Sequence, residues 1–196
     1  MHTKGRSVRW QAVRSAEPVP KKHADLYPRD TLGHSSTVAP QPMPHYWLMK
    51  AEPAEASIDD VLAMPNATVG WTGVRNYQAR NFMRSMQVGD GVLFYHSNCK
   101  EPGIVGTATV SSAAYPDETQ FDPKSDYHDP KSTREDPRWS LVDVAFERKL
   151  TRTITLDEIK QHADALGDGF ALIQRGSRLS VLPVTAAQWK FLLALE

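Results

Sequence analysis

The stretch Gly89-Asp90-Gly91-Val92-Leu93-Phe94-Tyr95-His96 decides how this chain folds. A Gly-Asp-Gly turn opens into four consecutive large apolar residues. That run is too short for a helix and is bounded by turn chemistry, so it reads as a central strand. Tyr46-Trp47-Leu48-Met49, ending at Lys50, has the same character. Ile104 to Val110 alternates around small residues, with Gly103 and Gly106 permitting the bends of a curved barrel strand. Trp139 opens a further strand, with Leu141, Val142, Val144 and Phe146 as its apolar groups. Arg178-Leu179-Ser180-Val181-Leu182 is the last strand, stopped by Pro183.

Helix start signals separate these runs. Ser57 with Asp60, Thr155 with Glu158 and Thr185 with Gln188 each have capping-box spacing. The second of these helices should end near Gly167, and the third carries Trp189, Leu192 and Leu193 on one apolar face. Tyr77 to Met86 reads as another helix, with Phe82 and Met86 inside and Arg80 and Arg84 on a different face. The expected fold class is α+β: a small, mostly antiparallel open barrel of about five or six strands with short flanking helices.

Residues 1–44 differ from the rest. Pro18, Pro20, Pro28, Pro40, Pro42 and Pro44 punctuate a stretch without helical or strand periodicity. It carries too little apolar surface to offset its ordering entropy, and is read as disordered, or as an extension ahead of a true start at Met43. Formal net charge is zero, yet residues 1–44 carry seven basic and three acidic groups, leaving sixteen basic and twenty acidic beyond them. A folded part so balanced cannot grip nucleic acid by broad counterion release, so a local pocket must supply discrimination. Cys99 is the only cysteine, which favours a reducing compartment. No apolar run approaches the roughly 18 residues of a membrane helix. A cytoplasmic location is expected, nuclear in a eukaryote.

The segment Trp71-Thr72-Gly73-Val74-Arg75-Asn76-Tyr77-Gln78-Ala79-Arg80-Asn81 suggests function. It combines a flat aromatic face, accessible backbone, amide side chains and arginines, as planar, polar-edged, anionic ligands require. Tyr115, Phe121, Tyr127 and Trp139 lie in or beside a long proline-punctuated loop, Tyr115 to Arg138, expected to fold against the body. A base between aromatic faces gains roughly 1–3 kcal/mol per stack. Asn76, Ser97 or Asn98 would then identify its edge, and His96 would share their polar rim. The aspartates between Asp117 and Asp136 read as a solvated loop face. The histidines are scattered, and neither a metal motif nor a phosphate-cradling glycine loop occurs, so no metal or cofactor is expected. His96, Ser97 and Cys99 admit a hydrolase reading but lack an orienting third partner. A protein-interaction module built on the 115–138 loop is another alternative.

Six separated blocks carry a resemblance: Tyr46 to Pro53, Trp71 to Asn81, Phe94 to Asn98, Tyr115 to Asp117, Pro137 to Trp139, and Arg178 to Val181. Together they closely resemble the EVE domain, from about His45 to the C-terminus. The resemblance implies a PUA-like open barrel related to YTH and ASCH domains, with no catalytic activity. It also implies association with modified bases in DNA or RNA, notably 5-methylcytosine and 5-hydroxymethylcytosine. Trp71 occupies the place where YTH-type relatives put a cage tryptophan. Lys50-Ala51-Glu52 corresponds to another pocket edge, with Ala51 where the commoner pattern has serine. The expected modified-base pocket is therefore Lys50, Glu52, Trp71, Thr72, Gly73, Asn76, His96, Ser97 and Asn98, closed by Tyr115, Tyr127 or Trp139. Trp71 should be open to a visiting ring, and Arg75, Arg80 and Arg178 should meet flanking phosphates. A monomer is expected.

Overall fold

The computed structural model describes residues 45–196; the readings made for residues 1–44 lie outside the described residues. Eight strands and five short helices follow in the order β1 (Tyr46–Ala51), α1 (Ile58–Ala63), β2 (Thr68–Gly70), α2 (Tyr77–Ser85), β3 (Gly91–His96), β4 (Gly103–Val110), β5 (Tyr115–Pro116), β6 (Ser140–Leu141), β7 (Asp143–Thr155), α3 (Leu156–Gln161), α4 (Ala163–Leu166), β8 (Val181–Val184) and α5 (Ala186–Leu193).

Six strands form one sheet in the order β2-β7-β4-β3-β1-β8, while β5 and β6 pair separately. β1 and β3 run parallel, with Trp47 opposite Val92 and Met49 opposite Phe94; the other pairs are antiparallel. The result is a curled, open half-barrel, as expected. Both faces of its centre are covered, which explains the unbroken apolar runs of β1 and β3. Trp47, Met49, Val92 and Phe94 pack with Val61 of α1 and Ala79 and Met83 of α2. Leu48, Leu93 and Tyr95 face the other way, against Ile159, Leu166 and Leu192 of the later helices. Asp90, only 2% exposed, ties the start of β1 to the turn before β3: it accepts from His45 N–H, Gln87 N–H and the Trp47 indole N–H.

Close pairing of β4 with β7 depends on Gly103 and Gly106. The β4–β7 register shifts between Ile104 and Gly106. A Cβ on Gly106 would lie 2.7 Å from the Arg148 carbonyl oxygen, so only glycine allows that approach.

Both Ser57 and Thr185 cap their helices with the reciprocal bond from Asp60 and Gln188. Several boundaries differ from expectation. β7 runs on to Thr155 through Glu147 to Thr153, because β2 covers only its first three residues and leaves the remainder as a solvated edge. Pro183 does not stop β8 but lies within it, exposed, on an outer strand where a missing N–H is tolerated. The helix from Thr155 breaks at His162 before ending at Gly167. Ala79 and Met83 are the buried residues of α2, whereas Phe82 is only half-buried.

Candidate functional site

A cavity of about 310 Å³ opens where β1, the segment after β2, the end of β3 and the segment before β8 meet. Lys50, Ala51, Glu52 and Glu55 form one side; Trp71 to Arg75 form the second; Ser97, Tyr127 and Arg178 to Ser180 complete it. The volume is at the small end of the roughly 300–1,000 Å³ typical of ligand pockets, which suits a single base.

The Trp71 segment is held by its backbone. Trp71 N–H donates to Val142 O at 2.8 Å, and Gly73 N–H donates to an Asp117 carboxylate oxygen at 2.9 Å. Gly73 has φ +81°, and a Cβ there would lie 2.7 Å from the Tyr127 ring. Glycine at this position therefore lets the tyrosine lie directly on the backbone and form the cavity wall.

Trp71 is not the open platform expected. It is 2% exposed and sits edge-on to Phe94, ring centroids 5.2 Å apart, although it is among the residues that line the cavity. An aromatic at a strand end still has both sheet faces available for packing, and here the core takes most of the indole. Tyr127 is the more accessible aromatic. Its hydroxyl donates to Glu55 at 3.4 Å, and the Arg75 guanidinium lies 5.4 Å from its ring centroid.

Arg75 and Arg80, expected to meet flanking phosphates, are both engaged by protein groups. Arg75 pairs with the buried Asp117 at 2.8 Å and donates to Tyr127 O and the Thr119 hydroxyl. Arg80 donates to Arg138 O and Asn81 and lies 4.8 Å over the Tyr77 ring. Both hold the 115–138 loop or its neighbours in place. Arg178 remains exposed at the cavity rim.

The other loop aromatics do not line this cavity. Trp139 is buried, stacked on Tyr77 at 4.8 Å with its indole N–H donated to Asp129. Tyr115 donates its hydroxyl to Asp143 at 2.7 Å. Asn76 caps α2 by accepting from Ala79 N–H. His96 lines a different cavity, where its Nε2 accepts from Ile58 N–H at 3.1 Å. Ser97 does line the site, but its hydroxyl donates to Ala51 O. Asn98 acts one layer behind, donating to Glu52 at 2.9 Å.

Glu55 was missed by sequence reasoning, as were Leu179 and Ser180. Nothing local marks a glutamate in a proline- and alanine-flanked turn as facing a cavity. The loop's acidic residues were also misread in part: Asp117 is fully buried, satisfied by Gly73, Arg75 and Thr119. Gln120, likewise buried, ties Trp139 and Ser132 into the same loop.

The site's electrostatics are mixed. Burial lowers the Lys50 ammonium below its ordinary value. Burial first, then the Glu52 carboxylate, raises Glu55. The Tyr127 hydroxyl is pushed up to about 12 by burial and by Glu55. Two carboxylates, Glu52 and Glu55, thus share one small space with Lys50, Arg75 and Arg178 beside an aromatic ring.

A family model for the EVE domain matches residues 45–195. The chain belongs to the EVE domain family. Thymocyte nuclear protein 1 of Gallus gallus is 48% identical over 165 residues, spanning 77% of this chain and 68% of the relative. A solved structure from Pseudomonas putida is 51% identical with TM-score 0.73, covering 76% of this chain and 98% of that one. Human THYN1, solved in complex with 5-methylcytosine-containing DNA, is 44% identical with TM-score 0.71, covering 77% and 96%. In this EVE domain no described helix is long and apolar enough to cross a membrane.

Proposed function

We propose that this EVE domain reads a modified cytosine in DNA, flipped from its stack into the 310 Å³ cavity. The carrying observation is the juxtaposition of Tyr127, Trp71, Glu52 and Glu55 in that cavity, within a fold shared with a relative solved on 5-methylcytosine-containing DNA. Cytosine offers a 4-amino donor, the group that a glutamate accepts from in base recognition. Thymine presents a carbonyl oxygen in its place, an acceptor facing an acceptor. Ala51, Val74, Leu179 and Trp71 supply apolar contact for a 5-methyl group.

The magnitudes are compatible. Flipping costs a few kcal/mol. One aromatic stack recovers roughly 1–3 kcal/mol. A hydrogen bond to a charged carboxylate adds about 1.5–3 kcal/mol. No chemistry on the base is part of this reading.

The test uses duplexes that differ at one position (cytosine, 5-methylcytosine, 5-hydroxymethylcytosine or thymine), titrated with the wild type, Tyr127→Ala and Glu55→Gln. The wild type should favour a 5-modified cytosine over plain cytosine and thymine. Tyr127→Ala should lower its affinity for the modified duplex by about 5- to 150-fold, the equivalent of one stack. Glu55→Gln should narrow the gap between modified cytosine and thymine. Equal wild-type affinity for all four duplexes would refute the proposal.

A further inference from the structure

A second, open groove of about 470 Å³ adjoins the base cavity, sharing Arg178 and Leu179 with it. Its walls come from the start of α2, where Gln78 lies, and from the segment between α4 and β8 that carries Arg175 and Ser177. Three observations at this place go unused by the fold or by base reading.

First, every other described arginine, from Arg75 to Arg152, donates to a protein carbonyl, hydroxyl, amide oxygen or carboxylate. Arg175 and Arg178 have no hydrogen bond or ion pair among the described residues, and both are exposed in this groove. Second, the Ser177 hydroxyl oxygen is buried with no hydrogen-bond partner, an uncommon state for a polar atom in a folded protein. Third, residues 45–196 hold more acidic than basic groups, so two unpaired guanidinium groups on one wall stand out against the surface around them. A guanidinium without a protein acceptor is suited to a phosphate oxygen.

We infer that this groove is the phosphate track for the DNA strand next to the flipped nucleotide, with Arg175 and Arg178 on successive parts of the backbone. The inference rests on the base-reading proposal for where the strand begins: Arg178 stands at the rim of both spaces, so a strand delivering its base to the cavity runs into the groove. Arg175 lies outside the base cavity and touches only the track. Gln78 and Gln174 line the same walls.

The full chain is titrated with a 5-methylcytosine duplex and its unmodified counterpart from low to moderate salt, as wild type, Arg175→Ala, Arg175→Ala with Arg178→Ala, and Lys124→Ala. Lys124 is exposed on the 115–138 loop and removes the same charge elsewhere. Arg175→Ala should weaken both duplexes by the same factor and reduce the slope of log affinity against log salt by about 1; the double variant should reduce it by about 2. Lys124→Ala should leave the slope unchanged. The track is overturned if Arg175→Ala matches the wild type in affinity and slope, or if Lys124→Ala reproduces its effect. It is also overturned if the loss falls on the modified duplex alone. Base reading can fail separately, as a wild type that binds both duplexes equally while Arg175→Ala still lowers the slope.

Discussion

Gly73→Ala tests the arrangement of the base cavity through a single methyl group. The added Cβ would sit 2.7, 2.8 and 2.9 Å from three carbons at the hydroxyl end of the Tyr127 ring. Ordinary carbon contacts need about 3.5–4.0 Å, so the ring must retreat by roughly 1 Å. It is restrained by its hydroxyl bond to Glu55 and by Arg75, which holds the Tyr127 carbonyl at 2.7 Å. Overpacking of this kind costs about 1–3 kcal/mol. Placing alanine at φ +81° adds about 1–2 kcal/mol. The combined loss is about 2–5 kcal/mol, a fall in Tm on the order of 10 °C for a domain of this size. Urea unfolding should show a lower midpoint with an unchanged m-value. The diagnostic comparison is the same substitution in a Tyr127→Ala background, where the ring clash is gone and only the backbone penalty of about 1–2 kcal/mol remains. Equal costs in the two backgrounds would show that Tyr127 does not lie on Gly73, and the cavity wall described here would be wrong.

Asp117→Ala should destabilise by about 3–5 kcal/mol, because it strands the Arg75 guanidinium and the Gly73 N–H together. Limited proteolysis should then cut within residues 122–136; wild-type resistance would show that this carboxylate does not anchor the loop. His96 should make stability depend on pH. Burial lowers its pKa below the ordinary 6.5, and only the neutral ring accepts from Ile58 N–H. Between the folded value and 6.5 the unfolded chain binds more protons, so His96's contribution is intact above 6.5 and is lost as pH falls through the folded pKa. Unfolding midpoints measured from pH 5 to 8 should show a steeper acid decline for the wild type than for His96→Gln. Parallel curves would remove that linkage.

Much of the architecture was legible because local and tertiary preferences agree. Ser57 and Thr185 carry their capping partners three residues on, and the doubly covered strands β1 and β3 announce themselves as unbroken apolar runs. Legibility failed where tertiary context decides. The far half of β7 pairs on one side only, so its polar residues carry no strand pattern. Pro183 is tolerated because β8 is an edge, which no local signal states.

The site divides along the same line. Of the residues singled out around Trp71, Lys50, Glu52, Thr72, Gly73, Ser97, Tyr127 and Arg178 line one cavity with it. Which aromatic is exposed was not readable. Trp71 and Tyr127 both follow turn residues, yet Phe94 receives one indole while Gly73 leaves room for the other ring. Arginine roles were equally hidden: Arg75 and Arg178 look alike in sequence, but only Arg75 meets a buried carboxylate supplied from a distant loop.

Base reading is tested at atomic level by a crystal structure of this chain with a duplex carrying a single 5-methylcytosine. That base should be turned out of the helix, lying against the Tyr127 ring with its 4-amino group within about 2.7–3.2 Å of a Glu52 or Glu55 oxygen. A 5-methylcytosine still stacked and paired in the duplex, with the cavity holding no base, would contradict it.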